Sequence, residues 1–187
     1  LKSGGIAFTE NKGQVSDQNN KPRPDVLFGG TANGMVFHLR NNGISYQLNR
    51  VDSWKTEDTL LNSYYRMLPE EKRKIPDQIT TYRVDVNWLN SNIDFKIIYD
   101  DSVLGYTNYY HEVCPNGVHY VKTYTGVTYK NIYNGIDLHY YEKGGVLKYD
   151  YIVAPYSNYK QIQLEIKGAE KITLQKDGLI LIKTKEY

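Results

Sequence analysis

Ile136-Asp137-Leu138-His139-Tyr140-Tyr141-Glu142-Lys143, Gly144-Gly145, Val146-Leu147-Lys148-Tyr149-Asp150-Tyr151-Ile152-Val153 is the stretch that decides the fold. Two runs of equal length flank two glycines. Glycine supplies the positive φ that a two-residue hairpin loop requires. Closed that way, Lys143 lies opposite Val146, and the rest of the register follows by counting. Tyr140 falls opposite Tyr149, Leu138 opposite Tyr151 and Ile136 opposite Val153, which makes one apolar face. His139 falls opposite Asp150, and Tyr141 opposite Lys148, on the other. A slip of one residue would exchange the two faces, so this register is a sharp expectation.

The same period of two recurs along the chain. Tyr82, Val84, Val86 and Trp88 alternate with Arg83, Asp85 and Asn87; Ile162, Leu164 and Ile166 alternate with Gln163, Glu165 and Lys167. Met35, Phe37 and Leu39 form a third set, and Ile44, Tyr46 and Leu48 a fourth. Turn signals separate the runs at Asn33-Gly34, Asn42-Gly43, Asn116-Gly117, Asn134-Gly135 and Asp177-Gly178. Many short strands joined by such turns predict an all-β fold, an antiparallel β-sandwich. Residues 52–78 interrupt the pattern. They are polar and lack alternation, while Leu60, Leu61, Tyr64, Tyr65 and Leu68 fit a helical stripe broken by Pro69 and Pro76. The reading is a single domain over 1–187 with a partly helical or mobile insertion at about 52–78. The run at 179–183 looks like a strand, so the polypeptide is expected to continue past Tyr187.

Composition narrows function mainly by exclusion. Lys and Arg number 23 against 21 Asp and Glu, intermixed along the chain, which gives no basic footprint for nucleic acid. No apolar run reaches the ~20 residues of a membrane helix. One cysteine, Cys114, excludes an intrachain disulfide and a multi-cysteine zinc site. The 19 tyrosines against four phenylalanines mean that amphipathic rings supply much of the apolar area.

Each candidate site has a blander competitor. His139 with Asp150 resembles half of a catalytic triad, but no serine stands in a G-x-S-x-G elbow, and a surface pair is the favoured reading. Asp137 and Asp150 are the paired carboxylates of a hydrolase alternative. His111, Cys114 and His119 surround Pro115-Asn116-Gly117, but their spacing matches no zinc motif. Asp100 and Asp101, with Asp94 nearby, lack a calcium-loop pattern and read as turn formers. No cofactor and no metal is expected. Tyr106, Tyr109, Tyr110 and Tyr124 are the binding candidates, since exposed rings suit a protein interface or a glycan platform.

Phe8-Thr9-Glu10-Asn11-Lys12-Gly13-Gln14 forms an F-x-x-N-x-G-Q motif. Gly105 to Tyr110, Val127 to Tyr141, Leu147 to Pro155 and Ile162 to Ala169 follow in order. This series closely resembles the uncharacterised N-terminal domain of large bacterial secreted proteins that carry SBBP-type β-propeller repeats. Relatives occur in gliding and surface proteins of Bacteroidetes that end in a type IX sorting signal. The resemblance implies an all-β fold, an extracellular or cell-surface location after signal-peptide removal, and no enzyme activity. It implies as partners other domains of the same polypeptide and surface or secretion-system proteins. The motif residues read as structural: Asn11, Gly13 and Gln14 as an ordered loop whose amides satisfy backbone groups, Gly135 as a sharp strand entry and Pro155 as a strand end. The resulting expectation is a non-catalytic docking or adhesion module, with a Tyr-based carbohydrate-binding module as the alternative.

Overall fold

The computed structural model describes residues 5–56 and 74–185. Their strands in chain order are β1 (Phe8–Glu10), β2 (Val26–Ala32), β3 (Met35–Arg40), β4 (Gly43–Thr56), β5 (Lys74–Trp88), β6 (Lys96–Tyr99), β7 (Thr107–His111), β8 (Cys114–Val121), β9 (Thr123–Tyr124), β10 (Gly126–Tyr133), β11 (Ile136–Lys143), β12 (Val146–Val153), β13 (Leu164–Lys167), β14 (Lys171–Leu174) and β15 (Ile180–Lys183). A 3-10 turn at Tyr159–Gln161 is the one helical element among the described residues. No helix there is long and apolar enough to cross a membrane.

A seven-stranded sheet, ordered β13-β5-β4-β3-β2-β1-β9, packs on a four-stranded sheet, ordered β12-β11-β10-β6. The fold is therefore the all-β sandwich that the alternation predicts. Phe8, Phe37, Leu39 and Ile44 of the large sheet meet Tyr129, Ile136, Leu138 and Tyr140 of the small one in a single core. Trp88 lies edge-on to Tyr129, with ring centroids 4.9 Å apart. Two of the core tyrosines give their hydroxyls acceptors. Tyr129 donates to the Arg40 carbonyl at 3.1 Å, and Tyr133 to the Gln163 carbonyl at 3.3 Å. A buried hydroxyl left without a partner would cost about 1–3 kcal/mol.

Hairpin β11–β12 has the register counted from the sequence, from Lys143 opposite Val146 through Ile136 opposite Val153, without a slip. Gly144 and Gly145 hold φ of 64° and 79°. Pro155 lies just past β12, and the amide of Ala154 before it donates to the Gly135 carbonyl at 2.9 Å.

Three expectations need correction. Residues 52–56 and 74–78, read as part of an insertion, are strand: β4 and β5 pair to Thr56 opposite Lys74. Only the first part of β4 also pairs with β3, so beyond Gln47 the two strands form a two-stranded ribbon. A ribbon without a buried face needs no alternation. Cross-strand polar pairs such as Thr81 to Asn49 (2.7 Å) and Lys55 to Asp77 (3.0 Å) help hold it. The proposed helical stripe, Leu60 to Leu68, lies outside the described residues. The strand expected from Gln161 begins only at Leu164, because Asn158 caps the 3-10 turn before it. The turn expected at Asn116-Gly117 falls instead between His111 and Cys114. Gly117 sits within β8 at φ 80°, where it absorbs a bulge. The run at 179–183 does form a strand, but its partner β14 has no alternating buried face and gave no signal.

Candidate functional site

Successive side chains on a strand point to opposite faces. With Phe37, Leu39 and Ile44 turned into the core, the intervening residues must form the outer face of the large sheet. The ladder places Thr9, Gly29, His38, Ser45, Asp85 and Lys167 in one row across six strands. Thr31, Val36, Gln47 and Arg83 form the next row. Gly29 makes room for the imidazole: a Cβ there would lie 3.2 Å from His38 Cδ2.

The loop between β1 and β2 folds back over this face, and the N-terminal motif holds it there. Asn11 Nδ2 donates to the carbonyls of Arg23 and Val26, both at 2.9 Å. Its Oδ1 accepts from the amides of Gly13 (2.9 Å) and Val15 (3.2 Å). Gln14, buried, accepts from the Lys12 amide at 2.8 Å and donates to the Glu10 carbonyl at 2.6 Å. Gly13 takes φ 115°, a conformation costly for any residue with a Cβ. Two side-chain amides thus replace the ladder bonds that an irregular loop lacks.

Between this loop and the sheet lies a cleft of about 630 Å³. His38, Gln47, Asn49, Thr81 and Arg83 form its floor, and Asp17, Gln18 and Arg23 its loop side. A second cleft, of about 300 Å³, continues on the other side of His38 and is lined there by Tyr109 and His111. The guanidinium groups of the cleft are paired, and the Asp17 carboxylate accepts from the amides of Asn19 at 2.8 Å and Lys21 at 2.9 Å. Arg23 makes two 2.7 Å hydrogen bonds to Asp25 and so holds that carboxyl below its usual range. Burial works against the Asp85 carboxylate, but hydrogen bonds from Ser45 and Arg83 outweigh it and keep its pKa low. Burial, with the fields of Arg23 and Arg83, pushes the His38 imidazole below its usual pKa. It is neutral at neutral pH, one ring nitrogen a donor and the other an acceptor.

The tyrosines read as binding candidates separate into three settings. Tyr124 is a core residue, 9% exposed, stacked on Tyr99 at 4.5 Å. Its place on β9, against the edge of the large sheet at Phe8, turns it inward. Tyr106 and Tyr110 are exposed, but Tyr106 lies against Tyr120 with the rings tilted 59°, and Tyr110 bonds His119 Nδ1 at 3.2 Å. They form no flat row. Tyr109 alone of the four reaches a cleft.

The other candidates disperse as well. His139 and Asp150 share a register position, but His139 Nε2 pairs with Asp100 Oδ2 at 2.9 Å, and Asp150 accepts from the Tyr141 hydroxyl at 2.9 Å. Gly126 permits this choice, since a Cβ there would lie 2.2 Å from Asp100 Oδ2. Asp137 binds the Lys130 ammonium and the Asn131 amide, locking the bulge at the end of β10 beside Gly135. At Gly135, φ 71°, a Cβ would collide with Ser157 Oγ at 2.0 Å. Cys114 is buried with its thiol toward the Tyr109 carbonyl, while His119 engages Tyr110. Among the described residues no three His, Cys, Asp or Glu side chains gather as a metal site. Asp94 lines a separate surface cleft with Asn131 and Asn134, away from the Asp100–His139 pair.

Sequence reasoning missed His38, Gln47, Asn49, Thr81 and Arg83. Their signal was present as the polar half of the alternations that located Phe37, Ile44 and Val84. No curated protein and no solved structure matches the chain. Residues 8–187, which contain the sandwich, the motif loop and the cleft between them, match DUF7948, a domain of unknown function, and the chain belongs to that family.

Proposed function

We propose that the domain is a non-catalytic docking or adhesion module of a large secreted or cell-surface bacterial protein, acting beside other domains of the same polypeptide. Strand β12 carries the docking reading. It is the edge of the small sheet, eight residues long and paired on one side without a bulge. Val146, Tyr149, Ile152 and Val153 are exposed along it. Lys148 and Pro155 blunt its middle and its end, yet a regular apolar edge of this length is a template for strand addition. Main-chain hydrogen bonds would supply affinity and the exposed side chains specificity. The non-catalytic part rests on Asp137 and Asp150, whose oxygens serve structural bonds instead of a shared reaction centre. The surface location and the type IX route rest on the ordered motif resemblance.

Immobilised at micromolar concentration, the domain is expected to retain a surface or secretion-system protein from a cell-envelope extract. The variant Ile152→Lys should cut that retention several-fold, because it places a charge on the free edge. Retention of nothing, or retention indifferent to Ile152→Lys, overturns the docking reading. Protease treatment of intact cells that leaves the domain untouched overturns the surface location.

A further inference from the structure

The two clefts that meet at His38 lie on the face of the large sheet opposite the core, on a different sheet from the β12 edge. We propose that they form one trough that binds an uncharged oligosaccharide, with Gln47, His38 and Asn49 as its principal hydrogen-bonding groups. This assignment goes beyond docking through β12 and does not depend on it.

The hydrogen-bond inventory carries the argument. Neither Gln47 nor His38 has a side-chain hydrogen bond among the described residues, and both are half-buried. Asn49 engages its Oδ1 with Thr81 and leaves its amide N–H groups free. Arg23 and Arg83 direct Nε and one terminal nitrogen at protein acceptors, so each keeps its other terminal nitrogen for a ligand. The trough therefore offers fixed donors and acceptors on loop and sheet alike. Sugar hydroxyls, which donate and accept at once, match that mixture.

Charge decides against an anion. Each guanidinium in the cleft is already neutralised by a carboxylate, Arg23 by Asp25 and Arg83 by Asp85. A phosphate or uronate would have to compete with those bonds. Backbone pairing closes the centre of the trough to a peptide strand: at Val36 and His38, β3 has ladder partners on both sides, β2 and β4. At the far end Tyr109, edge-on to His111, gives an aromatic surface suited to the C–H face of a pyranose. From β5 to β1 the trough crosses four strand intervals, about 19 Å at ~4.8 Å each. That length takes several sugar rings.

The test titrates the whole chain with cellohexaose, xylohexaose, mannohexaose and laminarihexaose, and with hexagalacturonate as the charged comparison, by calorimetry and by NMR shifts. At least one neutral hexasaccharide is expected to bind with a Kd between micromolar and millimolar and to shift the His38 imidazole and Gln47 amide signals. Gln47→Leu and Asn49→Ala should each weaken it about tenfold, the loss expected for one truncated hydrogen bond to a ligand. Tyr156→Ala, fully exposed elsewhere, should leave it unchanged. Asn49 is itself exposed, so Asn49→Ala remains informative where Gln47→Leu lowers the melting temperature. No binding by any neutral hexasaccharide at millimolar concentration overturns the proposal. So does tighter binding of hexagalacturonate, and so does binding that neither variant weakens.

Discussion

Hairpin β11–β12 pairs eight residues with eight and never slips, whereas hairpin β7–β8 sets five residues against eight and shifts register twice. Both are rich in tyrosine, and both carry glycine in a left-handed conformation. What separates them is the face they bury. Ile136, Leu138 and Tyr140 are all sealed in the core, so any slip of β11 would drive polar residues inward. In the other hairpin Cys114 and Val121 are buried at the ends of β8, while Tyr110 and Tyr120 stay exposed. Turn chemistry alone did not settle that register. Asn116-Gly117 is a favourable turn pair, and it lies inside β8 while the chain reverses between His111 and Cys114.

The strongest way to break the comparison is to remove one buried side chain. Leu138→Ala empties a fully buried position and should cost about 2–5 kcal/mol. For a domain of this size that is a fall in Tm of roughly 4–20 °C at about 2–4 °C per kcal/mol. Tyr110→Ala, on the other hairpin, should stay within about 0.5 kcal/mol. Thermal unfolding followed by calorimetry reads both. Comparable losses would mean that burial does not distinguish the hairpins.

The glycines sharpen the contrast. Gly144 and Gly117 both have positive φ, at 64° and 80°, and an alanine at either should pay about 1–2 kcal/mol of left-handed strain. At Gly144 nothing lies within 4 Å of the new Cβ, and the buried pairs hold the register. Gly144→Ala should therefore lower Tm by a few degrees and leave the cross-strand NOE pattern intact. At Gly117 the Cβ would fall 2.6 Å from the Tyr110 ring and 2.7 Å from His119. With no buried face to resist, Gly117→Ala should relieve its strain by re-pairing β7 with β8. Its signature is a changed NOE pattern and lost Tyr110–His119 proximity, with a smaller change in Tm. An unaltered NOE pattern in Gly117→Ala would show that this register is held as firmly as the other.

Burial also explains which features could be read before the structure. Phe37, Ile44 and Val84 announce strands because their neighbours alternate, and β11–β12 announces its register because two glycines sit between equal runs. The far part of the ribbon, past Leu48 and Tyr82, and the strand β14 lack a buried face, so their residues carry no period to detect. The trough was half legible. Alternation places His38, Gln47 and Arg83 opposite the core, but it does not say which loop covers them. That depends on Asn11 and Gln14 turning the β1–β2 loop back over the sheet, a tertiary arrangement that the motif marked only as an ordered loop. Tyr124 was misjudged because a cluster of tyrosines in sequence does not tell which ring lies under a sheet edge.

His139 gives the finest test. Counting the register correctly put it opposite Asp150, yet its imidazole reaches across to Asp100, 39 residues away in sequence. The hairpin thus sets backbone positions without setting side-chain partners, and the open space over Gly126 decides the partner instead. A double-mutant cycle with His139→Gln and Asp100→Asn should return a coupling of about 0.2–1 kcal/mol, the range of a partly exposed pair. The cycle with His139→Gln and Asp150→Asn should return none within error. Coupling to Asp150 in place of Asp100 would mean that cross-strand register, and not the gap left by Gly126, governs the outer face as it does the inner one.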